Sequence, residues 1–247
     1  GAPSTSSDFA GDYSANADST VTVVPVTLNR HKYKTVHVTA RESAETSLNA
    51  LEALVEAAAQ QLAQDVLVDI FSCITAANFG APGIAALAAS AFDYKKVLSM
   101  REACGNAKMP PNPRSLVLDS GYYTNMLADD IVAKSFNLNL NAPAVTEGMV
   151  KRLAGFNLHE TTLIPPDHAE KLVGFAAHSS AVAVAMRYLQ PVADYQQSGA
   201  VTDPTTGMTF GYLRFTDTRA NKVFVTLECL YGFAPAKTDA LKRIVKP

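Results

Sequence analysis

Hydrophobic and polar positions alternate along two long segments, one near each end of the chain. Over residues 21–41 they alternate on both sides of a polar corner at 29–32, which predicts a long β-hairpin. Both of its faces are mixed, so we expect it to project from the body until another element packs on it. A second long hairpin is predicted from residues 208–216 and 222–231, joined across the polar residues 217–221.

A helical period follows the first hairpin. Apolar residues recur there at spacings of three and four and form one stripe: Leu48, Leu51, Val55, Ala58, Leu62 and Val66. Ser47 can cap this helix, and the Gly- and Pro-containing residues 78–83 end it, so the longest helix is predicted over 48–78. The rest of the body alternates small elements, which predicts an α+β fold. They are a helix over 93–106, a buried strand over 114–119, a helix over 121–129 and a helix or strand around 148–153.

Composition narrows the class of protein. The chain has 247 residues, 48% of them hydrophobic, enough for one large domain or two modest ones, and this excludes disorder and coiled coil. A net charge of −2 gives no basic footprint for a dedicated nucleic-acid binder. Three scattered cysteines predict reduced, buried thiols and a cytosolic setting. No apolar run is long enough for a membrane span, so we expect a soluble protein.

The first nineteen residues are mostly small and polar, with only Phe9 and Tyr13 as anchors, and predict an arm that cannot fold alone. The chain starts at Gly1 without methionine, which indicates an upstream piece removed by processing or cloning or lying outside the sequence.

Catalytic patterns are hard to find. The sequence has no G-x-S-x-G, Walker or G-x-G-x-x-G pattern, and its five histidines lack metal-ligand spacing. His178 precedes Ser179, but a structural histidine is the simpler interpretation. Asp129 and Asp130 are interpreted as a solvated helix end. We therefore predict that the protein is not an enzyme and has no metal or cofactor.

Charge is divided between neighbouring elements. Residues 19–41 contain no carboxylate but four basic residues, whereas 42–94 contain carboxylates and no Lys or Arg. Solvated faces and chance are one explanation. The other is self-complementarity, in which the basic hairpin of one copy lies on the acidic helix of the next. The predicted inter-subunit residues are Arg30, Lys32, Lys34, Arg41, Glu52, Glu56 and Asp69.

The order of arm, basic hairpin, long helix, compact body and final hairpin resembles the major capsid protein of tailed bacteriophages, with the HK97-type fold. Four segments carry the resemblance: 21–41, 48–78, 93–123 and 148–232. It implies an N-terminal arm over 1–20 and an extended loop over 21–47. It also implies a peripheral domain with the spine helix over 48–92 and 195–228, and an axial domain over 93–194 and 229–247.

The resemblance further implies a structural protein that self-assembles, as hexamers and pentamers, into the icosahedral head shell around double-stranded DNA, without specific DNA binding. Portal, scaffold or protease, and decoration proteins are the implied partners. The implied location is the virion, after assembly in the host cytoplasm. Some members crosslink through a loop lysine, and Lys32 and Lys34 lie in the matching loop, but no acceptor is identified.

Two alternatives stay open. Within the same fold, the chain could form the shell of an encapsulin nanocompartment. From a different class, it could be a small cytosolic hydrolase that uses His178 or a cysteine, with the basic hairpin as a substrate loop. Observing assembled particles would support the encapsulin alternative over the hydrolase, because a hydrolase of this size does not form shells.

Overall fold

The computed structural model describes residues 23–45, 50–132, 150–193, 195–202 and 207–247. The α-helices run over α1 (Ala40–Glu45), α2 (Ala50–Ser72), α3 (Ala76–Phe79), α4 (Tyr94–Asn106) and α5 (Ser120–Leu127). The strands run over β1 (Arg30–Thr39), β2 (Arg114–Asp119), β3 (Arg152–Leu153), β4 (Phe156–Thr161), β5 (Leu172–His178), β6 (Val182–Arg187), β7 (Gln197–Thr202), β8 (Thr209–Asp217), β9 (Lys222–Pro235) and β10 (Leu241–Val245).

The strands form two sheets. The first sheet has the order β1-β9-β8-β7, and β6 pairs with the far end of β9. All of its pairings are antiparallel. The second sheet has the order β10-β5-β2-β4-β3, with β2 and β4 parallel and its other pairs antiparallel. This mixture of helices and mainly antiparallel sheets confirms the α+β prediction in its coarse form.

Helix α2 packs on one face of the first sheet. Its stripe residues Ala58, Leu62 and Val66 are 4%, 2% and 0% exposed. They meet alternate residues of β9, of which Leu227 and Tyr231 are also buried. The helical period therefore correctly identified the buried face of α2, and this face lies against the final strand of the β8–β9 hairpin.

The second sheet has its own core. Leu116 and Leu118 of β2 are fully buried beneath α4 and α5. Asp93 caps α4, since its Oδ1 accepts a hydrogen bond from the Lys96 N–H at 3.0 Å. A further apolar cluster around Phe79 joins the end of α2 and α3 to strands β5 and β10. The two sheets are thus packed through a shared set of apolar side chains.

For the residues that the structure describes, the prediction of a hairpin over 21–41 is wrong. Residues 23–29 form no strand, and residues 30–39 form the single strand β1, which pairs with Lys222–Tyr231 of β9. β1 therefore lies along the edge of the first sheet and does not project from the body. Alternation reveals the two faces of a strand but not its partner, and paired residues Thr35 and Thr226 are 191 positions apart.

The long helix is confirmed over α2 but ends at Ser72 instead of residue 78. Its last turn tightens, because the N–H groups of Cys73 and Ile74 donate to carbonyls three residues back. Ile74, 2% exposed, then enters the apolar cluster beside the second sheet, and the chain turns before α3 begins. The predicted Ser47 cap and Leu48 lie outside the described residues.

Most other predicted elements are present. α4, β2, α5 and the β8–β9 hairpin lie where the pattern placed them, although β9 continues to Pro235. The element around 148–153 is the short strand β3. The predicted arm over 1–20 lies outside the described residues. Within the described part of the chain, none of the helices is both long and apolar enough to span a bilayer.

The subdomain division stays a prediction. Its boundary between residues 228 and 229 falls inside the continuous strand β9. Strand β6, which the division places in the axial domain, belongs to the first sheet with β8 and β9.

Candidate functional site

The basic strand and the acidic helix lie against each other within one chain. Arg30, at the start of β1, contacts Asp69 near the end of α2. Lys34, further along β1, lines one cavity with Leu62, which lies closer to the start of the helix than Asp69. The strand and helix therefore run in opposite directions, so part of the charge segregation seen in the sequence is used inside the subunit.

One oxygen of Asp69 collects three donors from two strands. Asp69 Oδ2 lies 3.1 Å from Arg30 Nη1, 3.0 Å from Lys32 Nζ and 2.5 Å from the Tyr231 hydroxyl, which donates to it. The Arg30 guanidinium also lies 4.8 Å above the ring of Phe233. We call Asp69, Arg30, Lys32 and Tyr231 the Asp69 cluster, and it ties α2 to both β1 and β9.

Burial, hydrogen bonds and nearby charges shift the pKa values of Asp69 and Tyr231. Burial disfavours the Asp69 carboxylate, but hydrogen bonds from Tyr231 and Lys32 and the nearby charges outweigh it, so the pKa of Asp69 is lowered. Burial and the adjacent carboxylate raise the pKa of Tyr231. Tyr231 therefore stays protonated and donates across the neutral pH range.

The Asp69 cluster predicts a pH effect on stability. A carboxyl group whose pKa is lowered by folding stabilises the native state above its unfolded pKa of about 3.9, and this stabilisation is lost as pH falls through the folded value. We expect Asp69→Asn to reduce unfolding free energy at neutral pH and to flatten its decline below about pH 4. Urea unfolding of the unassembled subunit across pH 2–7 measures this, with Asp167→Asn, an exposed site, as control. Parallel pH curves for wild type and Asp69→Asn would contradict the assignment.

The remaining predicted contact residues lie apart from the Asp69 cluster. Lys34 is exposed and lines an open cavity of about 280 Å³ with Gln61 and Asp65. Glu56 is exposed on α2, and within the described residues neither it nor Lys34 forms an ion pair. Arg41 follows the end of β1, and Glu52 lies in the first turn of α2. Both residues are exposed. The structure therefore brings Arg30, Lys32 and Asp69 together and leaves Lys34 and Glu56 on the surface.

The residues considered for hydrolase chemistry bond within a turn or lie buried. His178 Nδ1 lies 2.9 Å from the Ser180 hydroxyl and accepts the Ser180 N–H, so the ring closes a turn. The three cysteines are free and buried, as predicted. Burial raises the pKa of Cys104 and Cys229 to about 11, which leaves little nucleophilic thiolate at neutral pH.

Asp129 also serves the backbone. Its carboxylate accepts the N–H groups of Tyr94 and Ile131, and the hydrogen bond from Tyr94 is the main cause of its lowered pKa. Asp129, interpreted from the sequence as part of a solvated helix end, is therefore half-buried and connects to α4.

One ion pair between a buried arginine and a partly exposed glutamate was not predicted from the sequence. The Arg243 side chain is 3% exposed and donates to Glu170 Oε2 and, at 2.7 Å, to the Gly80 carbonyl. The same Glu170 oxygen accepts the Ala76 N–H at 2.6 Å. This Arg243–Glu170 pair ties α3 to β10 and the loop before β5. Alternation in β10 is the only sequence signal, and it does not distinguish a buried arginine from an exposed one.

Sequence comparisons give no relatives: no protein-family model and no curated protein matches the chain. Solved structures do match. A chain of Mycobacterium phage Che8 has a TM-score of 0.64 and 15% identity, covering 94% of this chain and 76% of that one. A chain of the capsid structure of the cyanophage P-SCSP1u has a TM-score of 0.63 and 13% identity, covering 99% and 80%. A chain of the bacteriophage PhiM1 mature capsid has a TM-score of 0.52 and 11% identity, covering 90% and 72%.

At these identities the comparison concerns the fold alone. The matches extend over nearly all of this chain and over most of each phage chain, so they include both sheets and the long helix. The predicted resemblance is confirmed at that level: the chain has the fold of phage capsid structures.

Proposed function

We propose that this chain is the major capsid protein of a tailed bacteriophage and that its copies assemble into the shell of the head. The observation that carries the proposal is the likeness to the cyanophage capsid chain, which covers 99% of this chain at a TM-score of 0.63. The surroundings of His178 and the cysteines support a structural protein over a hydrolase, because these groups bond within turns or lie buried.

Several finer features belong to the same proposal. α2 takes the place of the HK97-type spine helix, and the second sheet with α4 and α5 takes the place of the axial domain. Copies gather as hexamers and pentamers of an icosahedral shell, assembled in the host cytoplasm and forming part of the virion. A net charge of −2 suits a container that holds DNA without specific contacts, since each neutralised phosphate adds affinity that release must overcome. Portal, scaffold or protease, and decoration proteins are the proposed partners.

The phage matches favour a virus head over a nanocompartment shell within this fold. Particles purified from the native source decide between them. DNA and a portal inside the particles support the head, whereas uniform small shells around a cargo protein support the nanocompartment.

Charge contacts between neighbouring copies are also proposed. Because Arg30, Lys32 and Asp69 pair within the subunit, the proposed contact rests mainly on Lys34 of one copy and Glu56 of the next. Each exposed pair contributes only about 0.2–1 kcal/mol, but repetition over a shell makes assembly sensitive to salt.

Assembly of the full chain tests the proposal directly. We expect closed particles in negative-stain electron microscopy and a fast-sedimenting species in ultracentrifugation. Lys34→Glu should lower the yield of particles at low salt and leave the subunit folded, whereas Lys95→Glu, an exposed lysine on α4, should not. A chain that stays monomeric at every concentration contradicts the shell. Equal yields for both lysine variants contradict only the charge contact.

A further inference from the structure

The two outer strands of the first sheet differ in how they are protected. β7, with the sequence QSGAVT, contains no charged residue and no proline. All of its residues except Gly199 are exposed, and Val201 is 59% exposed. β1, at the opposite edge, carries Arg30, Lys32 and Lys34. Among the described residues, no strand pairs with the outer side of either one.

An open edge presents a row of unpaired N–H and C=O groups that can template a strand from another molecule. Proteins usually guard such edges with lysines, prolines, bulges or a covering element. β7 has neither a lysine nor a proline, and its six residues pair with β8 in unbroken register. This strand therefore has the properties of an edge that is covered when the protein functions.

The topology identifies a partner with the right direction. Three antiparallel steps separate β1 from β7, so the two edge strands run in opposite directions. A second copy that continues the sheet would therefore place its β1 antiparallel to β7 of the first copy. This head-to-tail contact uses both open edges, and repeating it closes a ring when the rotation between copies adds up to a full turn.

We propose that β7 of one subunit pairs with β1 of a neighbouring copy and extends the first sheet between subunits. The proposal rests on the proposed shell function, which supplies the neighbouring copies. β7 places no charge beside the cations of β1, so the contact has no like-charge repulsion. Ten residues in β1 are enough to cover the six of β7. Pairing of β7 with itself, by contrast, makes a two-fold dimer and leaves β1 uncovered.

Two positions can report on this contact. Ser198, Leu213, Thr226 and Thr35 form one row across the sheet, and the two end residues are exposed on opposite edge strands. The native cysteines of the described structure are buried, so Ser198→Cys and Thr35→Cys introduce the accessible thiols. In assembled particles treated with a short bismaleimide, the double variant should give a ladder of covalent oligomers on denaturing gels. Each single variant should give only monomer.

The alternatives give different results. A covalent dimer from Ser198→Cys alone means that β7 pairs with itself and overturns the proposed partner. Particles of the double variant without a ladder overturn sheet extension and leave the shell function standing. A wild-type chain that never assembles overturns both.

A second measurement does not depend on thiols. Amides of residues 197–202 should exchange at least tenfold more slowly in particles than in unassembled subunits, as measured by hydrogen–deuterium exchange. Ala200→Lys should abolish particles, while Ala193→Lys, the same change at an exposed site outside the strand, should not. Equal exchange in particles and subunits overturns the proposal.

Discussion

Replacing Glu170 by alanine should destabilise the folded subunit by about 1–3 kcal/mol, the usual cost of leaving a buried donor without its acceptor. Because the Glu170 side chain is 29% exposed, the loss should stay below that for a fully buried ion pair. The Arg243 side chain is 3% exposed, so without Glu170 its charge keeps, among the described residues, the Gly80 carbonyl as its acceptor. The Ala76 N–H at the start of α3 loses its acceptor as well. Urea unfolding of the unassembled subunit at pH 7 measures the loss, with Glu102→Ala, an exposed glutamate of α4, as the control.

The double variant separates the charge from the packing. Arg243→Met fills similar space without a charge, so Glu170→Ala combined with Arg243→Met should recover part of the stability that Glu170→Ala loses. If the double variant is less stable than either single variant, the two side chains stabilise the fold mainly by packing. The explanation by an unpaired buried charge is then wrong.

The sequence predicted well those elements in which apolar residues repeat along one buried face. The stripe through Ala58, Leu62 and Val66 follows the helical repeat because one side of α2 must be apolar to cover the first sheet. Strand β2 was predicted for a related reason, since its buried Leu116 and Leu118 form a short apolar run at the centre of the second sheet. In both cases the periodic burial of side chains within one element was sufficient.

The sequence could not predict which elements meet. The alternation in residues 30–39 is real, but the strand that completes it lies near the other end of the chain. A hairpin was predicted because pairing with a sequence neighbour is the default when no partner is known. The error also hid the Asp69 cluster, since Arg30 and Lys32 reach Asp69 only when β1 lies on the sheet beside α2.

Charge patterning pointed to Arg30, Lys32 and Asp69, which meet within the subunit, whereas the predicted contact between subunits stays a prediction. The same segregation serves contacts within a subunit and contacts between subunits, and a list of charges does not distinguish them. Lys34 and Glu56 differ from Arg30 and Asp69 only in where the fold places them. The open edge of β7 was likewise hidden, because an uncharged strand matters only when the topology puts it outermost.

Truncating Leu227 to alanine should cost about 2–5 kcal/mol and give insoluble or unassembled subunits. Leu227 is 7% exposed and lies with Cys229 and Tyr231 on the face of β9 that α2 covers. Its removal leaves a cavity in the apolar cluster that Leu227 shares with Leu62, which is 2% exposed. Thermal unfolding and soluble yield measure the effect.

Leu54→Ala is the matched control, because Leu54 is also on α2 but 43% exposed. This change should cost well under 1 kcal/mol, since surface substitutions usually fall within about 0.5 kcal/mol. Leu62→Ala with Leu227→Ala should be less destabilising than the sum of the single changes, because the two side chains share one cavity. Additive losses would mean that the two side chains do not share a cavity. A Leu227→Ala subunit as stable as Leu54→Ala would mean that α2 is held to the sheet mainly by the Asp69 cluster and not by the apolar face.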